Sequence, residues 1–145
     1  MKIQTKFLDE IEIKVEEIIN FPNGIPGFEG EKRFVLLPLE DESPFRILQS
    51  VTKEQVGFIL GFPFVFNKDY SFVISDEDKE FLNVKKEEDV IVYSIVSIKE
   101  PFRESTLNLK APLLMNLQSK IGKQIILHDE KFSLRYPIDL SKGEF

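Results

Sequence analysis

The sequence predicts a mainly β protein, a small antiparallel β-barrel-like single domain over residues 1–145 with one short helix near residues 76–84. Three observations carry this prediction. Apolar and polar residues alternate with a period of two, which is typical of half-buried strands. Residues 90–98, VIVYSIVSI, are apolar and β-branched, which indicates a central strand covered on both faces. Prolines recur between the segments, as in sandwiches and barrels: Pro38, Pro44, Pro63, Pro101, Pro112 and Pro137.

The predicted strands follow from these patterns in chain order. Residues 3–7 and 11–15 alternate in polarity, so they form a half-buried pair connected at residues 8–10. Short apolar runs bounded by turn residues predict the remaining strands. These are 34–39, 45–51, 57–60, 70–74, 107–109, 113–115 and 124–127, together with the central strand at 90–98.

One helix is predicted after Ser75. This serine is a good N-cap, three acidic residues follow it, and Lys85 and Lys86 close the segment, so the charges complement the helix dipole. A second architecture, an α+β sheet packed on this helix, stays open.

Composition favours a soluble globular protein. Hydrophobic residues make up 42% and charged residues 30%, which argues against disorder. There is no cysteine, and no apolar stretch follows a basic region at the start, so we expect a cytoplasmic protein without a secretory signal. The longest apolar run, 56–66, contains glycines and Pro63 and is too short to cross a bilayer, so no membrane association is expected.

Charge is distributed unevenly along the chain. Residues 1–100 carry 20 acidic and 12 basic side chains, whereas residues 101–145 carry 5 and 7, and the formal net charge is −6. A negative protein repels a phosphate backbone, so direct nucleic-acid binding is not expected. A basic partner protein would be attracted instead.

The sequence contains no recognisable catalytic or metal-binding pattern. His128 is the single histidine and cysteine is absent, which excludes zinc sites needing two or more such ligands. Phosphate loops, EF-hand loops and nucleophile elbows do not occur. His128 and Asp129 are adjacent, and neighbouring strand residues point to opposite faces. We therefore expect no catalytic residue, no cofactor and no metal.

Two other classes of function stay open. A ligand-binding or hydrolytic barrel would need a polar cleft near His128. An RNA-binding barrel would need a basic face interleaved with aromatic rings. Only a few basic residues could form such a face: Lys110, Lys120, Lys123, Lys131 and Arg135.

The segment FPNGIPGFE, residues 21–29, is the most specific in the chain. Gly24 can adopt a positive φ without steric cost and Pro26 fixes its own φ, so the segment can form one rigid turn. We expect Phe21, Ile25 and Phe28 to pin that turn to a core. The alternatives are a shaped binding surface and a well-built connection between strands.

A first candidate contact surface lies at residues 62–66, where three phenylalanines occupy alternate positions. In an extended strand all three rings face the same way. Phe64, near Asn67 and Asp69, could then be an aromatic contact surrounded by polar groups, as in a binding hot spot. The alternative is that the rings fill the barrel core.

A second candidate surface contains Asn108, Lys110 and Asn116. The two asparagines flank apolar segments interrupted by Pro112, which limits backbone pairing there. A strand edge with exposed amides is a docking surface. Alternatively, both asparagines satisfy backbone groups at strand ends.

Several blocks together resemble the bacterial flagellar assembly factor FliW family, in the family's order and from Met1 to about Pro137. Residues 138–145 match no part of that pattern. The blocks are FPNGIPGFE (21–29), FVLLPL (34–39), SPFRILQS (43–50), EP (100–101) and TLNLKAPLLMN (106–116).

The resemblance implies a non-enzymatic regulator with a β-barrel-like fold that is monomeric when free. It implies two partners, flagellin and the RNA-binding translational repressor CsrA. Flagellin would occupy the protein until it is exported, and the released protein would then capture CsrA and relieve repression of flagellin translation. Such a switch works by mass action. Because CsrA must present basic surface to RNA, we expect its binding to be salt-sensitive.

Overall fold

The computed structural model describes residues 1–40 and 42–138. Asp41 and residues 139–145 lie outside the described residues, and so does most of the segment 138–145 that does not resemble the family. The single-domain boundary at residue 145 stays a prediction for the same reason. The strands are β1 (Lys2–Ile3), β2 (Ile11–Glu12), β3 (Ile19–Asn20), β4 (Arg33–Pro38), β5 (Phe45–Ser50), β6 (Gly57–Gly61), β7 (Ile91–Ser97), β8 (Thr106–Leu107), β9 (Leu113–Asn116), β10 (Ile121–Gln124) and β11 (Tyr136–Pro137); the α-helices are α1 (Pro63–Phe66) and α2 (Asp76–Phe81).

Seven strands close into a barrel in the order β7-β6-β5-β4-β3-β10-β9, and β9 pairs back onto β7. The closing register aligns Val92 with Leu114. Closure removes free sheet edges, which explains how short strands form a stable sheet. The predicted mainly β barrel is confirmed. Among the described residues, all strand pairings are antiparallel except that of β3 with β10, where Asn20 lies opposite Ile121 in a parallel pair.

The core lies on both faces of the long strands. In β5, Ile47 belongs to one buried cluster and its neighbour Leu48 to another. In β7, Val92 and Tyr93 divide between the same two clusters. Successive strand residues point to opposite faces, so both strands are covered on two sides. The prediction of a central strand at 90–98 is confirmed.

Most predicted strands have a counterpart whose bounds differ by one or two residues: 34–39 is β4, 45–51 is β5, 57–60 is β6 and 113–115 is β9. The N-terminal pair also forms, with Lys2 opposite Glu12, although each strand has two residues. The last prediction is displaced, because 124–127 lies after β10 and overlaps it at Gln124 alone. The strands β3 and β11 were not predicted from the sequence.

One predicted strand is wrong, and the extended conformation considered for residues 62–66 does not occur. Residues 70–74 pair with no strand. Residues 62–66 are not extended, because Pro63 to Phe66 form the helical turn α1. A proline at the first helical position is favoured, since its φ suits the helix and an N–H at that position would have no partner within the helix. The three rings of this segment therefore do not face the same way.

The predicted helix is confirmed as α2, with Ser75 as its N-cap. The Ser75 hydroxyl accepts a hydrogen bond from the N–H of Asp78 at 3.1 Å. The helix ends before residue 84 because Asn83 has a φ of 57°, the left-handed conformation that terminates helices. Within residues 1–40 and 42–138 no helix has both the length and the apolarity needed to cross a bilayer.

Candidate functional site

The 21–29 turn is held by its backbone. Gly24 has a φ of 67° and Gly27 a φ of 89°, and both values favour glycine. The Gly24 N–H donates to the carbonyl of Phe21 at 2.8 Å. A Cβ on Gly24 would lie 2.6 Å from the Cα of Glu29, so the chain closes on itself there. The Glu29 carboxylate accepts the N–H of Gly27 at 3.0 Å, and this hydrogen bond lowers the pKa of Glu29.

Two of the three predicted anchors are buried and the third is not. Phe21 packs against Gly122, where a Cβ would lie 2.5 Å from its ring, and Ile25 is also buried. Phe28 is 41% exposed, so the expectation that it anchors the turn in the core is wrong. The turn instead places the Phe28 ring on the surface, edge to face with Phe58 at 5.2 Å between centroids.

Phe28 forms one side of an aromatic cleft of about 280 Å³, defined by Phe7, Phe28, Phe58 and Ile98. Phe7 is 36% exposed and Ile98 is 48% exposed, whereas Phe58 is half-buried. A cluster of exposed apolar side chains indicates a contact site, whereas single exposed apolar side chains are common on protein surfaces. Six further residues line the cleft: Lys6, Gln55, Val56, Gly57, Ile59 and Val96.

Gln49 fixes the wall that carries Phe7. Its side-chain Oε1 accepts the backbone N–H of Lys6 at 2.9 Å, although the two residues are far apart in sequence. Gly57 leaves the space for this contact, since a Cβ there would lie 2.7 Å from Oε1. The Gln49 amide donates in turn to the carbonyls of Ser50, Lys53, Glu54 and Val56. The N-terminal segment is thereby attached to the β5–β6 hairpin.

Glu31 fixes the wall that carries Phe28. Its Oε1 accepts hydrogen bonds from the hydroxyls of Ser50 at 2.7 Å and Thr52 at 3.0 Å, and these bonds lower the pKa of Glu31. The Glu31 N–H donates to the Phe28 carbonyl at 3.0 Å. Both walls of the cleft are therefore attached to the same hairpin, so the aromatic surface is largely formed before any partner binds.

The first predicted contact surface lies around α1. Phe64 is half-buried, with its ring 5.2 Å from Phe62 and 5.6 Å from Tyr70 between centroids. The Asn67 side chain accepts the N–H of Asp69 at 3.1 Å. Phe64 thus packs against the core with part of its ring accessible. Its role and those of Asn67 and Asp69 in partner binding stay predictions.

Tyr70 brings part of the second predicted surface close to the first. Its hydroxyl donates to the carbonyl of Leu109 at 2.7 Å, and burial raises the pKa of that hydroxyl. Asn108 and Lys110 flank Leu109 in sequence. The Asn108 side chain accepts the N–H of Lys110 at 3.1 Å and is half-buried. Tyr70 therefore connects Phe64 with the segment that carries Asn108 and Lys110.

Asn116 does not join them. It is 2% exposed, so the expectation of an exposed amide is wrong at this position. Its Nδ2 donates to the carbonyls of Leu82 and Asn83, and its Oδ1 accepts the N–H groups of Gln118 and Ser119. The Asn116 side chain thus provides hydrogen-bond partners for backbone groups that follow α2 and β9, and buried polar groups need such partners. Its predicted role in binding a partner would have to be indirect.

The polar groups named for the alternative functions do not converge. His128 is exposed, and the Asp129 carboxylate accepts the N–H of Lys131 at 3.0 Å. Within the described residues no hydrogen bond joins His128 to Asp129. In the proposed basic face, Lys123 forms an ion pair with Asp78 at 2.5 Å. That pairing reduces the charge the face can offer to a phosphate backbone.

The aromatic cleft was not predicted from the sequence. Its members come from four separate segments, so no local period connects them. The one available signal was the 21–29 turn, whose rigidity suggested a shaped surface. The structure shows that the turn shapes that surface by presenting a single ring.

Fold and site define a small closed β-barrel protein with an aromatic cleft on its outer surface. The family model described as FliW protein matches residues 2–138. The chain therefore belongs to the FliW family of flagellar assembly factors.

Individual relatives agree with this assignment. The chain is 47% identical over 138 residues to a flagellar assembly factor FliW of Bacillus licheniformis, covering 95% of this chain and 96% of the relative. It is 45% identical over 138 residues to that of Bacillus subtilis, with the same coverage. A crystal structure of the flagellar assembly factor FliW superposes with a TM-score of 0.90 at 40% identity, covering 96% of this chain and 97% of the other.

Proposed function

We propose that this protein is a non-enzymatic cytoplasmic regulator that binds flagellin and, when flagellin is exported, binds and antagonises CsrA. Flagellin translation would then rise in step with export. The observation that carries the proposal is the match to flagellar assembly factors over nearly the whole chain. Exchange between two partners needs a binding surface and no bond chemistry.

The aromatic cleft supports a role in protein binding. Its rings are partly exposed and apolar, and Gln49 and Glu31 hold the segments that carry Phe7 and Phe28, so little conformational freedom is lost when a partner covers them. Aromatic residues near the centre of a contact surface often dominate binding energy. We therefore assign the cleft to one of the two partners, with Phe28 as its principal contact.

Isothermal titration calorimetry tests the proposal directly. We expect heat with purified flagellin and with purified CsrA at micromolar protein concentrations. Preloading with flagellin should reduce the apparent affinity for CsrA. Absence of heat with both proteins would reject the proposed function while leaving the family assignment in place.

The salt dependence of CsrA binding tests the electrostatic part. The acidic excess in residues 1–100 should attract a basic partner, and such attraction is screened over about 8 Å at physiological ionic strength. We expect the association rate to fall as salt rises, while the dissociation rate changes little. An association rate that is the same at low and high salt would remove electrostatic steering from the proposal.

A further inference from the structure

Residues 71–74 form a surface segment whose backbone is unpaired. Within residues 1–40 and 42–138, no hydrogen bond joins the backbone groups of these four residues to another residue. The segment precedes the N-cap of α2. A row of free N–H and C=O groups is a template on which another strand can pair.

We call this unpaired segment the 71–74 edge. Its side chains alternate in exposure, as in an extended chain. Phe72 and Ile74 are half-buried, whereas Ser71 and Val73 are exposed, Val73 to 89%. The Phe72 ring lies 5.5 Å from that of Tyr70 between centroids. The inner side chains therefore hold the edge against the protein, while the outer side carries a large uncovered apolar group.

A cleft of about 480 Å³ lies beside the edge. Its charged lining consists of three lysines and one glutamate, although the protein has a net charge of −6. Within the described residues, none of the three ammonium groups forms an ion pair. Asp89 attracts Lys85 and Lys86, but its carboxylate accepts their backbone N–H groups. The lining residues are Phe72, Val73, Ile74, Val84, Val90, Lys79, Lys85, Lys86 and Glu87.

We propose that the 71–74 edge and this cleft bind an extended, acidic peptide segment of a partner protein. The segment's backbone pairs with the edge, its alternate apolar side chains pack in the cleft, and its carboxylates meet the lysines. This mode of recognition uses main-chain hydrogen bonds for affinity and side-chain pockets for specificity. The site is additional to the proposed function and does not depend on it.

Charge favours such a segment over a second copy of this chain. Two copies paired through the same edge would bring two sets of Lys79, Lys85 and Lys86 together, and like charges across a strand pair are destabilising. A segment carrying carboxylates reverses the sign of that interaction.

The test uses a blocked octapeptide that alternates valine with glutamate, titrated into the ¹⁵N-labelled full chain. We expect saturable NMR shifts at the amides of 71–74 and around Val84 and Val90, with slowed hydrogen exchange at the edge. The matching valine–lysine peptide should bind at least tenfold more weakly. A glutamate peptide N-methylated at alternate residues should also lose at least tenfold, because it cannot pair.

Charge reversal on the protein supplies the matched variants. Lys85→Glu/Lys86→Glu should weaken the glutamate peptide at least tenfold, whereas Lys14→Glu/Lys53→Glu, far from the cleft in sequence and exposed, should not. Melting temperatures confirm that both variants fold. Equal binding of the two peptides, shifts elsewhere, or no shift at millimolar peptide would overturn the proposal. Self-association that is abolished by Val73→Lys would assign the edge to a second copy instead.

Discussion

The ring of Phe28 meets the ring of Phe58 edge to face, with centroids 5.2 Å apart, at the surface of the barrel. Phe58 in turn lies 6.3 Å from Phe34, and Phe34 lies 5.4 Å from Phe21. A row of rings thus connects the first residue of the 21–29 turn, deep in the core, with its exposed phenylalanine. The turn is both a structural element of the barrel and the support of the aromatic cleft.

Phe28→Ala should weaken one partner and leave the fold intact. Because the ring is partly exposed, we expect about 1 kcal/mol or less of lost stability, below the range for buried phenylalanines. If Phe28 is a principal contact, the affinity for flagellin or CsrA should fall by about 2 kcal/mol or more, roughly 30-fold. Calorimetry and thermal melting measure the two effects. Leu134→Ala, at an exposed apolar residue outside the cleft, is the control.

A series of alanine substitutions separates strain from collision in the 21–29 turn. Gly24→Ala meets both a positive φ and the backbone of Glu29, so it should lose the most stability, about 2 kcal/mol or more. Gly27→Ala would place alanine at a positive φ without a collision, so it should reduce stability by about 1 kcal/mol. Gly30→Ala meets neither and should be neutral. Chemical denaturation ranks the three variants, and an equal loss at all three would contradict this account.

Phe64→Ala tests the first predicted contact surface. The ring is half-buried against Phe62 and Tyr70, so truncation should reduce stability by about 2 kcal/mol, less than for a fully buried phenylalanine. If the accessible part of the ring also contacts a partner, the folded variant should bind flagellin or CsrA about 2 kcal/mol more weakly. Phe64→Leu, which retains apolar volume, is the control for packing. Unchanged affinity for both partners would remove Phe64 from the binding surface.

The link between Glu31 and the hydroxyls of Ser50 and Thr52 should depend on pH. These hydrogen bonds lower the pKa of the Glu31 carboxyl in the folded state, so ionised Glu31 stabilises the fold. That stabilisation is fully present above the unfolded-state pKa and is lost as pH falls through the folded-state pKa. The difference in unfolding free energy between wild type and Glu31→Gln should therefore shrink from about pH 6 to about pH 3. Glu16→Gln, at an exposed carboxylate, serves as the reference, and a difference that stays constant with pH would exclude this role of Glu31.

Local patterns determined the strands that carry most of the barrel. Short apolar runs bounded by turn residues were sufficient for β4, β5, β6 and β9, and the β-branched apolar run was sufficient for β7, because both faces of a barrel strand are specified by its own residues. Ser75 and the acidic residues after it determined α2 in the same way, since N-capping is a contact within one turn. The blocks around the 21–29 turn also identified the family before any contact was known.

Other features were decided by contacts between distant segments. Strands of two residues such as β3 and β11 carry no periodic signal. β3 forms between the longer strands β4 and β10, and β11 forms by pairing with β8, a segment far from it in sequence. The helical turn α1 is an exception, because the backbone preference of Pro63 is local and the strand pattern of the rings concealed it. Asn116 and Asn108 have the same side chain, yet Asn116 is buried and Asn108 is half-buried. Asn116 is hydrogen-bonded to the carbonyl of Leu82, at the end of α2, which is distant in sequence.

The aromatic cleft shows the same division. Local residue preferences were sufficient to predict a rigid 21–29 turn, because Pro26 fixes its own φ and Gly24 can adopt the positive φ that the turn requires. Tertiary structure alone decided that Phe28 faces outward and that Phe7 and Ile98 lie beside it. Those positions depend on Gln49 and Glu31, which join segments far apart in the chain. The burial of a side chain is a property of its surroundings in the folded chain, and those surroundings exist only after the barrel has closed.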